Sequence, residues 1–290
     1  MSLRVLAAAL LVLSVTAVFG DQPAAQTETE KILSTIQWVH APEKGNLGDI
    51  ASIKVPPGYI FAKAGDVPKL MQLTENPVSG NEVGFLAPED MSWFMVFEFS
   101  KIGYVKDDEG DKLDADAILK SIREGTDAGN EERKKRGWAT LTIVGWEQPP
   151  RYDAATHNLT WATRAESGGK QVINHSTRIL GREGVMEVAL VCDPPQLAGL
   201  LPTTNKLLGD YSFNPGSRYA EFTKGDKVAA YGLAALITGG TVAIAAKSGL
   251  LAKLLKVLSK FFIFIAAAVA AGFKKLFGRK KDPASAPSGQ

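Results

Sequence analysis

The segment that decides the fold runs from Gln171 to Cys192 and reads QVINHSTRIL-GREG-VMEVALVC. Two runs rich in β-branched and apolar residues flank a glycine-bounded loop at 181–184, which is the pattern of a β-hairpin. If all four loop residues lie outside the strands, Arg178 faces Glu187, and opposite charges in that position stabilise a strand pair. The sequence therefore predicts an antiparallel hairpin with a defined register.

Alternation along this hairpin separates an apolar face from a polar one. The apolar face comprises alternate residues of the second strand, Met186, Val188, Leu190 and Cys192. The polar face comprises three residues of the first strand, Asn174, Ser176 and Arg178. We predict that this polar face, together with Arg164 of the preceding strand, binds a ligand. The alternative is an ordinary solvated sheet face that carries the ion pair of Arg178 and Glu187.

The remaining elements extend this hairpin into a larger sheet. One long helix is predicted from Asp114 to Arg136, because acids at its start and bases at its end suit the helix dipole. The sequence therefore predicts an α+β fold over residues 40–215, with an antiparallel sheet and helices packed on one face. Period-two patterns predict further strands at 50–55, 59–62, 83–86, 93–99, 140–146, 158–165 and 211–213. Shorter helices are predicted at 66–73 and 194–208.

The composition is that of a globular protein with a basic C-terminal end. Apolar residues make up 45% of the chain and charged residues 22%, which excludes a wholly disordered protein. The charged residues of 228–290 are all basic except Asp282, so residues 21–227 carry a net negative charge although the whole chain has +2. An acidic body repels phosphates, which argues against nucleic-acid binding. The lone cysteine, Cys192, excludes an internal disulfide framework.

The first twenty residues have the pattern of a signal peptide. Arg4 forms a short basic region, Leu6–Val15 is apolar apart from Ser14, and small or tolerated residues precede Asp21. We expect cleavage after position 20, followed by a linker with a short helix at 21–39. The alternative is an uncleaved anchor helix.

The C-terminal segment 228–277 is predicted to be a membrane segment. Residues 228–246 contain no charge, and about 20 such residues cross a bilayer core. A second apolar run covers 257–273. One span at 228–246 leaves the later basic residues in the cytoplasm, as the positive-inside rule favours, whereas two spans also bury the second run. We therefore predict a protein of the inner membrane, with one or two transmembrane helices and its main domain in the periplasm.

Polar segments flank the membrane segment. Residues 216–227 are predicted to be a juxtamembrane linker, and residues 278–290 a basic, disordered tail. Anionic lipid attracts basic residues that lie next to a span, so the lysines of this region are candidates for binding membrane lipids. These candidates are Lys253, Lys256, Lys260, Lys274 and Lys275. The same charges could instead serve only to set the topology.

Five distinctive motifs are spread along the chain: LGDIASIKVPPGY at 47–59, NPVSGNE at 76–82, GYVKDD at 103–108, GWEQPPRYD at 145–153 and FNPGSRY at 213–219. These motifs resemble those of a bacterial family of uncharacterised membrane-anchored proteins, a domain of unknown function. The resemblance spans roughly residues 45–280 and implies an exported body with a C-terminal membrane segment, but no catalytic residue. In the order of its elements alone, the body is also similar to the PsbP/Mog1-like sandwich.

Motifs for a metal or a cofactor are not apparent in the sequence. The acidic run 107–116 lacks the spacing of a calcium loop, because Val105 would occupy the first ligand position. No two of the three histidines have metal-ligand spacing, and neither a phosphate-binding loop nor a dinucleotide fingerprint occurs. We therefore predict no metal and no cofactor, and we expect Cys192 to be a buried thiol rather than a nucleophile.

Three functions remain open at this point. We favour a non-enzymatic binding or scaffold module of the cell envelope, whose partner is a small ligand or an envelope protein. The first alternative is a membrane-tethered periplasmic hydrolase that uses His157 or His175. It requires one histidine to lie within hydrogen-bond reach of both a carboxylate and a hydroxyl or thiol. The second alternative is a membrane-stress component that acts through its basic amphipathic tail.

Overall fold

The computed structural model describes residues 28–239 apart from Glu109, Asp111 and Lys112. The helices of this part are α1 Glu28–Ser34, α2 Val67–Leu73, α3 Ala115–Lys135, α4 Leu197–Gly209 and α5 Leu233–Thr238. Its strands are β1 Trp38–His40, β2 Lys44–Leu47, β3 Ala51–Lys54, β4 Tyr59–Lys63, β5 Glu82–Pro88, β6 Phe94–Ser100, β7 Leu141–Asp153, β8 Asn158–Ser167, β9 Lys170–Leu180, β10 Val185–Cys192 and β11 Tyr211–Phe213.

Two antiparallel sheets form the framework of the molecule. The central sheet has eight strands in the order β1-β4-β5-β6-β10-β9-β8-β7. The small sheet has three strands in the order β11-β3-β2. The predicted α+β class with an antiparallel sheet is therefore confirmed.

The hairpin of β9 and β10 has the predicted register. Leu180 lies opposite Val185, and Arg178 lies opposite Glu187. The four residues between the strands form the turn, as the glycines at its two ends indicate. The apolar face predicted for β10 is also confirmed, since its four alternate residues belong to one buried cluster.

The prediction that helices cover only one face of the sheet is wrong. On one face, α2, α3 and α5 pack over the central strands. On the other face, α4 packs together with the small sheet. The physical reason is the burial of β6 and β10, in which nearly every residue is buried, so both faces of these strands need a cover.

Helix α3 confirms the long helix that the charge pattern predicts. The side chain of its N-cap residue, Asp114, accepts a hydrogen bond from the backbone N–H of Ala117 at 3.0 Å. Asp66 is the N-cap residue of α2 but makes no capping hydrogen bond with its side chain, because its carboxylate binds the N–H of Gln37 and the ammonium of Lys69. Strands β1 and β2 were not expected from the sequence. Strand β7 is longer than predicted because a register shift leaves Pro149 and Pro150, which lack a backbone N–H, out of the pairing with β8, which resumes at Arg151.

Residues 216–229 pack against the body, although most of them were predicted to be a linker. The guanidinium of Arg182 binds the carboxylate of Asp226 through two nitrogens at 2.7 and 2.9 Å. The backbone of Tyr104 exchanges hydrogen bonds of 2.8 Å with Lys227 and Ala229. The chain is therefore fixed to the body just before α5 begins.

Only the first part of the predicted membrane segment lies within the described residues. Leu233, Leu236 and Ile237 of α5 are buried on the central sheet. No helix in the described ranges has both the length and the apolar character needed to cross a bilayer. The signal peptide, the run 257–273 and the tail 278–290 lie outside the described residues.

Candidate functional site

A row of charged residues crosses the face of the central sheet that lies under α2, α3 and α5. Glu82 of β5 pairs with Glu98 of β6, Glu98 pairs with Glu187 of β10, and Glu187 pairs with Arg178 of β9. Directly paired residues share a face, so these four side chains lie side by side. Three acids and one base therefore meet in the middle of a face whose two ends are apolar.

Helix α5 and the residues before it roof this polar patch and leave a cavity of about 210 Å³. The floor is polar and includes Glu98, Ser100, Thr163, Asn174, Ser176 and Arg178. The roof is apolar or aromatic and includes Tyr231, Leu236 and Ile237. Lys101 and Gly239 are exposed members of the lining, so the cavity reaches the surface beside them.

Arg178 and Glu187 form the ion pair of the floor. Nη2 of Arg178 lies 2.8 Å from Oε2 of Glu187, and the hydroxyl of Ser100 donates to Oε1 at 2.5 Å. The guanidinium also lies over the ring of Trp161, 4.8 Å from its centroid. Because both charged side chains are less than one-fifth exposed, each depends on the other for compensation.

Glu98 is the least compensated acid of the row. Burial, together with the charges of Glu187 and Glu82, raises the pKa of Glu98 to about 8. Its Oε1 accepts a hydrogen bond of 2.5 Å from the hydroxyl of Ser79, but within the described residues its Oε2 has no such partner. Near neutral pH the cavity therefore presents a protonated carboxyl group beside the Glu187 carboxylate.

Three of the four residues predicted to bind a ligand come together in this cavity. Asn174, Ser176 and Arg178 all line it, and helices bury the face that the alternative interpretation left in solvent. Arg164 does not join them, which corrects the prediction for that residue. It pairs with Ile173, so its side chain lies on the opposite face, where it binds Glu147 at 2.6 Å and Gln171 at 3.0 Å.

The placement of Arg164 could have been derived from the sequence. The Gly168–Gly169 turn is a two-residue hairpin loop, which pairs Ser167 with Lys170 and hence Arg164 with Ile173. Glu98, by contrast, was missed. A lone charge inside the apolar run FMVFEFS signals a buried acid, but its position beside Glu187 depends on the pairing of β6 with β10, which are far apart in sequence.

His157 approaches a carboxylate and a hydroxyl, as the hydrolase alternative requires. Its Nδ1 lies 3.2 Å from Oδ2 of Asp107 and 3.1 Å from the hydroxyl of Tyr152. Both contacts involve the same ring nitrogen, and the tyrosine hydroxyl already donates to Asp107 at 2.6 Å. A relay needs the two ring nitrogens to serve two different groups, so this cluster does not have the geometry of a catalytic triad.

His175 and Cys192 lie on the face covered by the small sheet. His175 is buried, its Nδ1 has no hydrogen-bond partner among the described residues, and burial lowers its pKa to about 4. Burial likewise raises the pKa of the Cys192 thiol to about 12. Neither residue lines the cavity.

No group of three or more metal-ligating side chains occurs in the described part of the chain. The five lysines predicted to bind lipid lie outside it. The observed candidate site is therefore the polar cavity under α5.

Comparisons with known proteins give a family but no activity. A search of curated proteins found no match. The fold is weakly similar to the solution structure of cyanobacterial PsbP (CyanoP) from Synechocystis sp. PCC 6803, with a TM-score of 0.39 and 11% identity over 67% of this chain and 98% of that one. A family model described as "Protein of unknown function (DUF2167)" matches residues 40–270, in agreement with the resemblance to an uncharacterised family. The chain belongs to this family, DUF2167.

Proposed function

We propose that this protein is a non-enzymatic binding protein whose cavity under α5 takes a small polar ligand. The observation that carries the proposal is the cavity itself, since natural cores rarely leave such a volume beside polar groups. A cavity of about 150 Å³ holds a benzene molecule, so about 210 Å³ accommodates a slightly larger ligand or a few waters.

The contents of the floor favour binding over catalysis. Asn174, Ser176 and Thr163 are almost fully buried and offer amide and hydroxyl groups at fixed positions. No histidine or cysteine lines the cavity, and Arg178 and Ser100 already engage the Glu187 carboxylate. Fixed polar groups with an apolar roof are typical of small-molecule sites.

The test is a ligand screen by thermal shift, followed by calorimetric titration of the hits. A ligand of this cavity raises the melting temperature, because it binds only the folded state. Asn174→Leu fills the cavity and removes an amide, and we expect it to weaken binding at least tenfold. Thr177→Val lies one strand position from Ser176 but on the opposite face, and it should bind as the wild type does. Equal binding by both variants would overturn the proposal.

We further propose that the body is held at the periplasmic side of the inner membrane by the residues of the segment 228–277 that follow α5. The apolar run 257–273 and the basic residues after it support this placement. Reporter fusions at both ends of the full chain test it. A periplasmic signal from the body with membrane attachment is the expected result, whereas a cytosolic, detergent-independent protein would overturn it.

Lipid binding by the basic tail is a separate proposal. Lys253, Lys256, Lys260, Lys274 and Lys275 would attract anionic headgroups, each contributing about 1 kcal/mol near the surface. Five Lys→Gln changes should reduce binding of the full chain to vesicles containing anionic lipid and leave binding to neutral vesicles unchanged. An equal loss on both vesicle types would contradict the electrostatic role.

A further inference from the structure

We propose that the ligand of the cavity is a small organic cation, whose ammonium group takes the place of the proton on Glu98. This inference rests on the proposed binding function and names the class of ligand. Three observations carry it. They are the charges around the cavity, the oxygen of Glu98 that has no hydrogen-bond partner among the described residues, and the volume of the cavity with its apolar roof.

The charges around Glu98 are predominantly negative. Glu82 faces it from β5 and Glu187 from β10, while Arg178 of β9 is the only basic side chain of the described floor. Lys101 at the rim is bound to Glu183 at 2.9 Å and is largely exposed. A positive charge placed beside Glu98 would therefore be attracted by the carboxylates of Glu187 and Glu82.

The free oxygen of Glu98 marks where that charge would bind. Glu98 is 7% exposed and lines the cavity, and within the described residues Ser79 is its one hydrogen-bond partner, through Oε1. Oε2 thus has no hydrogen-bond partner among the described residues, and it belongs to a side chain that lines the cavity. An ammonium group there would donate to Oε2 and also lie near the Glu187 carboxylate.

Binding must then release a proton. The uncharged carboxyl of Glu98 is the form favoured by burial and by its acidic neighbours, and its raised pKa of about 8 agrees with this. A bound ammonium favours the carboxylate instead, so the carboxyl proton moves to solvent as the cation enters. The other groups that face Glu98 do not alter this proton release, because Ser79 remains neutral and Arg178 remains paired with Glu187.

The roof of the cavity limits the size and polarity of the part of the ligand beyond its ammonium group. Tyr231, Leu236 and Ile237 offer an aromatic and two aliphatic surfaces, while the face of Trp161 is already used by Arg178. From the benzene comparison, the volume suits roughly eight non-hydrogen atoms. A primary ammonium on a short apolar body, such as benzylamine, matches both requirements.

The experiment compares benzylamine with benzyl alcohol, which has nearly the same shape and no charge. Calorimetric titration at pH 7 in two buffers of different ionisation enthalpy counts the protons released. We expect benzylamine to bind at least tenfold more tightly than benzyl alcohol, with close to one proton released for each molecule bound. In Glu98→Gln the preference for the amine should fall at least tenfold, and proton release should disappear.

Glu166→Gln serves as the matched control, because Glu166 is an exposed acid of β8 outside the cavity. It should leave both affinity and proton release unchanged. Preferential binding of benzyl alcohol, or binding of benzylamine without proton release, overturns the cation assignment but leaves the proposed binding function intact. If neither probe nor any compound of the wider screen binds, the binding function itself fails.

Discussion

The two faces of the central sheet are built in different ways. The face under the small sheet and α4 is mostly apolar and, among the described residues, carries no buried ion pair at its centre, and side chains such as Phe61, Phe97 and Met186 are fully buried there. The face under α3 and α5 is apolar only at its ends and carries a charged row and a cavity in the middle. The apolar face therefore stabilises the fold, whereas the other face carries buried charges and a cavity, which lower the stability and which folding alone does not require.

The largest effect is expected on the apolar face. Phe97 and Glu98 are neighbours on β6 and point to opposite faces. Phe97→Ala removes a fully buried ring and leaves a void, so we expect a loss of about 4 kcal/mol in the free energy of unfolding, measured with urea. Val144→Ala, at an exposed position of β7, should change it by less than about 0.5 kcal/mol. A small loss in Phe97→Ala would mean that this face is not the main source of stability.

The ion pair of the polar face should give the next largest effect. Arg178→Met leaves the buried Glu187 carboxylate without its counterion, and we expect a loss of about 3 kcal/mol at pH 8. Arg164→Met provides the control, because the pair of Arg164 with Glu147 is more exposed and should cost less than about 1 kcal/mol. Equal losses in the free energy of unfolding for Arg178→Met and Arg164→Met would mean that the two faces do not differ in how strongly they depend on an ion pair.

The third prediction concerns pH. The pKa of Glu98 is raised from 4.5 to about 8 in the folded protein, so folding takes up a proton between these values. The stabilisation by the protonated form is complete below pH 4.5 and is lost as the pH rises through 8. Above about pH 6.5, where His175 is neutral in both the folded and the unfolded state, the free energy of unfolding should therefore fall by roughly 1 kcal/mol for each pH unit up to pH 8.

Glu98→Gln tests this dependence directly. Glutamine keeps the shape and cannot ionise, so the fall in stability between about pH 6.5 and pH 8 should largely disappear, and the variant should be about 3 kcal/mol more stable than the wild type at pH 9. Thermal and urea unfolding across this range measure the effect. His175 gives the opposite slope below about pH 6.5, because its pKa of about 4 keeps it neutral in the folded protein while the unfolded chain takes up a proton, and this contribution is the same in the variant and the wild type. A wild type with a flat profile would contradict the burial of an uncompensated acid.

Local signals in the sequence predicted the elements whose pairing or ends lie close together along the chain. The glycines at 181 and 184 fix the register of β9 and β10, and the acids and bases of 114–136 fix the ends of α3. The cavity depends on contacts between residues that are far apart in the sequence, and no local pattern predicts these contacts. Glu98 meets Glu187 across 89 positions of sequence, and α5 comes from a charge-free stretch that is equally typical of a membrane span.

The smallest effect on stability should be the most informative about the two faces. Ser176 and Thr177 are adjacent on β9, both are buried, and they point to opposite faces. Ser176→Val places two methyl groups in the cavity, and Thr177→Val exchanges a hydroxyl for a methyl in the core. Each should change the free energy of unfolding by less than about 1 kcal/mol, since neither creates a void nor leaves a charge unpaired. Binding should separate them: Ser176→Val reduces the affinity for benzylamine because it occupies the volume of the ligand, and Thr177→Val does not. If both variants bind equally well, the volume beside Ser176 is not where the ligand lies, and the polar face has no more claim to function than the apolar one.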